Sequence, residues 1–143
     1  KQLMPMLLLY WEQTYADPRS KSGKDWYGSW SDFEGDVFGP ALQPSDDILV
    51  AGCGNSNIPV DLLKKGITKV VGMDYSRKAI RLQKKRFPEL TWKRGDLRRM
   101  PGFRDGSFDV VIEKAVMDGE GAFNEWPLMF SEISRVLRSG GRF

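Results

Sequence analysis

The fold of this chain is decided by the stretch Ile48-Leu49-Val50-Ala51-Gly52-Cys53-Gly54-Asn55-Ser56, read together with Asp74. Its first four residues are apolar, as in a buried strand, and they lead directly into a turn with two glycines. A second apolar run, residues 70–73, ends at Asp74. A strand, a glycine turn, a helix and a second strand that ends in a carboxylate is the arrangement by which α/β sheets hold a nucleoside. The stretch therefore predicts a nucleotide-cofactor site in which Asp74 accepts hydrogen bonds from the ribose hydroxyls.

Strands and helices alternate through the following residues. Strands are predicted at 48–51, 70–73, 90–93 and 108–112, and helices are predicted over 60–65, 77–86 and 126–138. Asn57 and Ser76 are the predicted N-caps of the first two helices. This alternation predicts an α/β fold with a Rossmann-like, doubly wound, mostly parallel sheet.

Two boundaries follow from the pattern. Residues 1–45 are rich in aromatic side chains and turn formers, whereas residues 46–143 carry the regular alternation of the predicted core. Arg142-Phe143 is expected to begin a fifth strand, so we expect a chain truncated at the start of that strand.

Composition excludes several classes of chemistry. The 143 residues contain no histidine and one cysteine, which excludes Ser-His-Asp and Cys-His catalysis and argues against a zinc site. No metal site is predicted. The single cysteine fits a reducing compartment, and we expect a cytoplasmic protein without a membrane span.

The charge pattern leaves two interpretations open. The net charge is +3, and basic residues cluster between positions 77 and 99. This cluster is either a patch for nucleic acid or another acidic partner, or the solvated face of one helix and its neighbouring turns. The second interpretation is favoured because 19 acidic residues nearly balance 22 basic ones.

The glycine turn departs from two better-known nucleotide motifs. Position 57, where the dinucleotide fingerprint has its third glycine, is asparagine, and no Gly-Lys-Ser/Thr sequence follows as in a P-loop. A short turn with a polar tail suits a ligand without a pyrophosphate, which disfavours a nicotinamide-dependent oxidoreductase.

Five ordered motifs resemble those of a known family. They are the glycine stretch quoted above, Val71-Gly72-Met73-Asp74-Tyr75-Ser76, Gly95-Asp96-Leu97, the run from Ser107 to Lys114, and the run from Ser134 to Phe143. In this order and spacing they resemble the seven-strand S-adenosylmethionine-dependent methyltransferases. The branch with the elongation factor 1A and citrate synthase lysine methyltransferases is similar also in its aromatic N-terminal signature.

This resemblance implies a cofactor, S-adenosylmethionine, and a role for each matching residue. Gly52, Gly54 and Asn55 would form the turn at the methionine end, and Asp74 would bind the ribose. Tyr75, Asp96 and Leu97 would surround the adenine, and the cation of Lys114 would meet the cofactor carboxylate. The residues that would close the site from the N-terminal segment are Trp11, Tyr15 and Trp26.

The resemblance also implies an activity, methyl transfer to a lysine of a protein partner. No catalytic residue is implied, and nucleic acid is not expected as a substrate because the Asp/Asn-Pro-Pro-Tyr run of base methyltransferases is absent. The loop at residues 115–118 is Ala-Val-Met-Asp where the branch has Gly-Thr-Leu-Asp. A non-catalytic scaffold or regulatory module and a small-molecule methyltransferase remain the alternatives.

Overall fold

The computed structural model describes residues 3–19, 25, 27–33, 42–113, 115–119 and 122–143. These residues form five strands: β1 (Ile48–Ala51), β2 (Val70–Asp74), β3 (Thr91–Arg94), β4 (Phe108–Glu113) and β5 (Leu137–Arg142). The α-helices are α1 (Leu3–Ala16), α2 (Trp30–Phe33), α3 (Ile58–Lys64), α4 (Arg77–Arg86) and α5 (Trp126–Val136). None of the helices in these ranges has the length and apolar character needed to cross a membrane.

All neighbouring strands of the sheet are parallel, in the order β3-β2-β1-β4-β5. Strand β1 lies in the centre, where Ile48 pairs with Val70 on one side and Val110 on the other. Its four residues are fully buried because helices cover both faces of the sheet. The predicted doubly wound α/β fold is therefore confirmed.

One hydrophobic cluster packs against each face of the sheet. Alternate residues of β1 point to opposite clusters, Ile48 to one and Leu49 to the other. The first cluster contains Leu62 and Ile80 from α3 and α4, and the second contains Ile133 from α5. Both layers thus hold β1 and the turn that follows it in place.

Strands β2 and β3 are joined by a close contact between Gly72 and Trp92. The two residues pair directly across the strands, and the indole ring lies where a side chain at position 72 would stand. The Trp92 Nε1–H donates to the carbonyl oxygen of Phe87 at 2.9 Å. Gly72 therefore allows a large aromatic ring to cover the sheet near its edge.

Helix α5 and strand β5 meet earlier than the sequence indicates. The helix was predicted to run to residue 138 and the strand to begin at Arg142, but the helix ends at Val136 and β5 begins at Leu137. The physical reason is remote in sequence, since the guanidinium of Arg138 bonds Asp47 at 2.9 Å and Asp109 at 2.6 Å. These pairs hold residue 138 in the extended chain beside β4.

Both predicted residues occupy N-cap positions, but only Ser76 caps its helix with its side chain. The Ser76 hydroxyl accepts a hydrogen bond from the Ala79 N–H at 3.1 Å, as a cap should. Asn57 occupies the N-cap position of α3, but its side chain makes no capping bond. Its Oδ1 instead accepts from the Arg86 guanidinium at 2.6 Å, which draws the amide away from the helix.

Candidate functional site

The candidate site lies where three central strands end at the same level. Ala51, the last residue of β1, pairs with Met73 in β2 and with Glu113 in β4. The residues that follow Ala51 and Met73, together with the loop after Glu113, therefore meet at the carboxyl edge of the sheet. Open α/β sheets bind ligands at this edge.

Both glycines of the turn are required by the backbone and by their neighbours. Gly52 and Gly54 have φ angles of +66° and +46°, which side chains rarely adopt. A Cβ atom at Gly52 would overlap Cγ2 of Val116, and one at Gly54 would overlap the hydroxyl of Tyr15. The turn is thus in close contact with the loop after β4 and with α1.

Asp74 is a buried carboxylate that organises the turn. Its Oδ2 accepts from the Gly54 N–H at 2.9 Å and its Oδ1 accepts from the Ser76 N–H at 2.8 Å. Burial raises the pKa of Asp74 to about 6, and the nearby charge of Glu12 adds to this rise, although the backbone hydrogen bonds oppose it. A carboxylate has about four acceptor directions, so Asp74 retains capacity beyond these backbone bonds that a ribose hydroxyl can use.

Helix α1 covers this edge with aromatic side chains. Trp11 and Tyr15, one helical turn apart, stack with ring centroids 5.7 Å apart and an interplanar angle of 21°. Burial, followed by the charge of Asp74, raises the pKa of the Tyr15 hydroxyl, which therefore remains protonated. The carboxylate of Glu12 accepts from the Arg77 N–H and anchors α1 to the start of α4. Trp26, the third predicted aromatic, lies outside the described residues.

Tyr75 and Asp96 line a cavity of about 610 Å³ beside the ends of β2 and β3. The Nε–H and the backbone N–H of Arg98 both donate to Oδ1 of Asp96, each at 2.9 Å. Burial raises the pKa of Asp96, but these contacts with Arg98 lower it overall. The Leu97 side chain is buried in the core. The structure thus brings Tyr75 and Asp96 together at one cavity, whereas the Leu97 side chain does not line it.

Asn55 is buried in the turn, and its carbonyl oxygen accepts from the Arg86 guanidinium at 2.8 Å. Neither Arg86 nor its neighbour Gln83 was selected from the sequence as a site residue. Both lie on α4, whose sequence resembles that of any exposed basic helix. Their partners lie in a loop about thirty residues earlier in the chain. No local pattern points to such contacts.

The loop after β4 is shaped by Glu113, the last residue of that strand. The Glu113 carboxylate accepts from the backbone N–H groups of Val116 and Met117, and Ala115, just before Val116, has a φ of +69°. Burial raises the pKa of Glu113 despite these bonds. The Tyr27 hydroxyl donates to the Asp118 carboxylate at the end of the loop. Lys114 lies outside the described residues.

Comparisons with known proteins agree with this geometry. The family described as "Methyltransferase domain" matches residues 49–143. The chain is 36% identical over 149 residues to bovine "EEF1A lysine methyltransferase 4" (Bos taurus), covering 94% of this chain and 58% of that protein. It is 32% identical over 144 residues to the human "eEF1A lysine and N-terminal methyltransferase" (Homo sapiens), covering 94% of this chain and 20% of that protein. The chain thus spans less than two thirds of each of these relatives.

Solved structures are similar over the same region. A TehB-like S-adenosylmethionine-dependent methyltransferase from Corynebacterium glutamicum has a TM-score of 0.66 at 27% identity, covering 96% of this chain and 70% of that one. An S-adenosylmethionine-dependent methyltransferase from Methanosarcina mazei has a TM-score of 0.68 at 28% identity, covering 74% of this chain and 54% of that one.

Proposed function

Because the chain belongs to the methyltransferase domain family, we propose that its protein is an S-adenosylmethionine-dependent methyltransferase that N-methylates a lysine of a protein partner. The observation that carries the acceptor class is the 36% identity, over 94% of this chain, to a relative named an EEF1A lysine methyltransferase. We further propose that the protein acts in the cytoplasm, where residues 46–143 hold the cofactor and residues 1–45 cover it.

The residues at the carboxyl edge fit this cofactor. Gly52 and Gly54 supply the positive φ angles of a tight turn after β1, and their bare backbone lets Val116 and Tyr15 pack directly against that turn. Asp74 offers a carboxylate fixed by two backbone donors, the acceptor geometry that a ribose diol needs. Tyr75 and Asp96 line a cavity whose volume is typical of small-molecule sites.

The remaining assignments rest on the family resemblance. Asn55 would form part of the turn, Leu97 would lie beside the adenine, and Lys114 would meet the cofactor carboxylate. The aromatic faces of Trp11, Tyr15 and Trp26 favour a cationic ligand over a neutral one, because a cation is attracted to the face of a ring. This preference would help a neutral product leave.

S-adenosylmethionine supplies a methyl group already activated by its sulfonium. The protein then has to orient a neutral amine in line with that group and exclude water. The loop from Glu113 to Asp118 lies at the correct edge for this task, and Glu113 is committed to backbone N–H groups. No catalytic base is assigned.

The test is labelling of a cell lysate with tritiated S-adenosylmethionine by the recombinant protein, followed by identification of the labelled lysine. Titration calorimetry with the cofactor should show binding by the wild type and strong loss in Asp74→Ala. Asp61→Ala is the matched control, because Asp61 is a carboxylate on α3 that pairs with the exposed Lys64. A folded wild-type protein that binds no cofactor would refute the proposal, and binding without labelling would favour the scaffold alternative.

A further inference from the structure

Helix α4 carries a fully buried amide, Gln83, on a helix otherwise rich in cations. Its exposed fraction is 0%. A buried polar side chain destabilises the fold unless its hydrogen-bonding groups are satisfied. A methionine or leucine would fill the same space without this requirement, so the contacts of the amide identify what it contributes.

Gln83 and Arg86 together hold the loop that follows the glycine turn. The Gln83 Nε2 donates to the carbonyl oxygen of Ser56 at 2.7 Å, and its Oε1 accepts from Arg86 at 2.9 Å. The same guanidinium donates to the carbonyl oxygen of Asn55 at 2.8 Å and to the Oδ1 of Asn57 at 2.6 Å. Three consecutive loop residues are therefore bound by two side chains one helical turn apart.

These contacts add to the bonds that the loop makes at the entry to α3. A helix N-cap normally fixes the chain entering a helix, but the Asn57 side chain makes no capping bond to α3, and the Ser56 hydroxyl accepts from the Ile58 N–H at 3.0 Å instead. Ser56 is bonded on its other side, where its hydroxyl donates to the carboxylate of Asp25. Residues 55–57 thus lie between the N-terminal segment and α4, and they continue directly from Gly54, whose N–H is bonded to Asp74.

We propose that Gln83 and Arg86 are positioning residues for cofactor binding, which hold residues 55–57 so that the Gly52–Gly54 turn keeps its backbone conformation. The inference rests on the proposed function, since it names what supports the same site. Neither side chain needs to touch the cofactor. Their effect passes through the carbonyl groups of Asn55 and Ser56, which fix the backbone next to Gly54.

Two measurements on the purified protein test this inference. The first is backbone hydrogen exchange of residues 54–57 without ligand, and the second is the Kd for S-adenosylmethionine by calorimetry. Gln83→Met keeps the volume and removes both hydrogen bonds, and Arg86→Met removes the guanidinium. We expect faster exchange confined to the loop and a Kd about tenfold higher in each, because each loses hydrogen bonds to the loop. The double variant should show less than the summed effect, because the two side chains bond each other.

Conservative and remote variants separate positioning from general stability. Arg86→Lys keeps a donor that reaches one acceptor, so its Kd should lie between those of the wild type and Arg86→Met. Gln83→Glu, which keeps the shape but cannot donate to Ser56, provides the same test if Gln83→Met does not fold. Arg81→Met removes an exposed cation from the same helix and should leave both readouts unchanged.

The outcomes distinguish this inference from the proposed function. A lowered melting temperature with unchanged Kd and unchanged loop exchange would overturn the inference and leave the function standing. If the wild type binds no cofactor, the function fails, and unchanged loop exchange in the variants would overturn the positioning role independently.

Discussion

Cofactor affinity is expected to depend on pH through Asp74. The pKa of this buried carboxyl is about 6, against 3.8 for an ordinary aspartate, and this difference corresponds to about 3 kcal/mol. Between those two values the folded chain keeps a proton that the unfolded chain has released. The free energy of unfolding of the ligand-free protein therefore falls as the pH rises across this window, and the contribution of protonated Asp74 is lost above about pH 6.

Bound cofactor has the opposite preference. Ribose hydroxyls donate hydrogen bonds to a carboxylate and so favour its ionised form, which lowers the pKa of Asp74 in the complex. At pH 5, about one tenth of the ligand-free molecules carry an ionised Asp74 if its pKa is about 6. The Kd for S-adenosylmethionine at pH 5 should therefore be roughly tenfold higher than at pH 7, and binding near pH 6 should release protons.

Titration calorimetry at pH 5, 6 and 7 in buffers of different ionisation enthalpy measures both quantities. The carboxyl and amino groups of the cofactor itself keep their charges across this range. Asp74→Asn should bind weakly and lose the pH dependence. Glu12→Gln is a sharper control, because removing the charge that raises the pKa of Asp74 should move the transition to lower pH. A Kd that stays constant from pH 5 to 7 in the wild type, or proton uptake on binding, would refute the reasoning.

Three further substitutions test the packing around the site. Gly54→Ala places a methyl group against the Tyr15 hydroxyl at a positive φ, so we expect loss of cofactor binding by calorimetry with the fold retained by circular dichroism. Gly72→Ala forces Trp92 off the sheet and should lower the free energy of urea unfolding by about 1–3 kcal/mol; an unchanged value would contradict the close contact. Ser76→Ala removes the cap of α4 and should lower the free energy of unfolding by about 1 kcal/mol in the same assay. Ser76→Thr keeps a hydroxyl cap and should retain most of that free energy.

The central part of the fold could be predicted because its signals are local. The run at residues 48–51 is apolar without interruption, and Asp74 follows the second such run, so strand position and sheet type were readable. The junction of α5 and β5 could not be predicted from the sequence, because Leu137 and Arg138 are both compatible with a helix. Their conformation depends on Asp47 and Asp109, which the sequence places far away.

The candidate site divides in the same way. The glycines and Asp74 could be recognised as a motif, and in the structure the Gly54 N–H donates to the Asp74 carboxylate. The burial of Asp74 could not be read, because it depends on Tyr15 and the rest of α1 packing over the turn. The role proposed for Gln83 could not be predicted either, because it depends on a contact with Ser56 in a distant loop.

Strand β5 differs from its neighbours in what holds it to the sheet. Most of its residues are exposed, its pairing with β4 shifts register, and its exposed Arg138 and Arg142 pair with Asp109 and Asp46. Such pairs are weakened by dissolved salt, whereas the buried contacts of β1 are not. High salt should therefore weaken the pairing of β5 with β4 first. The pairing of β1 with β2, the strands that precede the glycine turn and carry Asp74, should be unaffected.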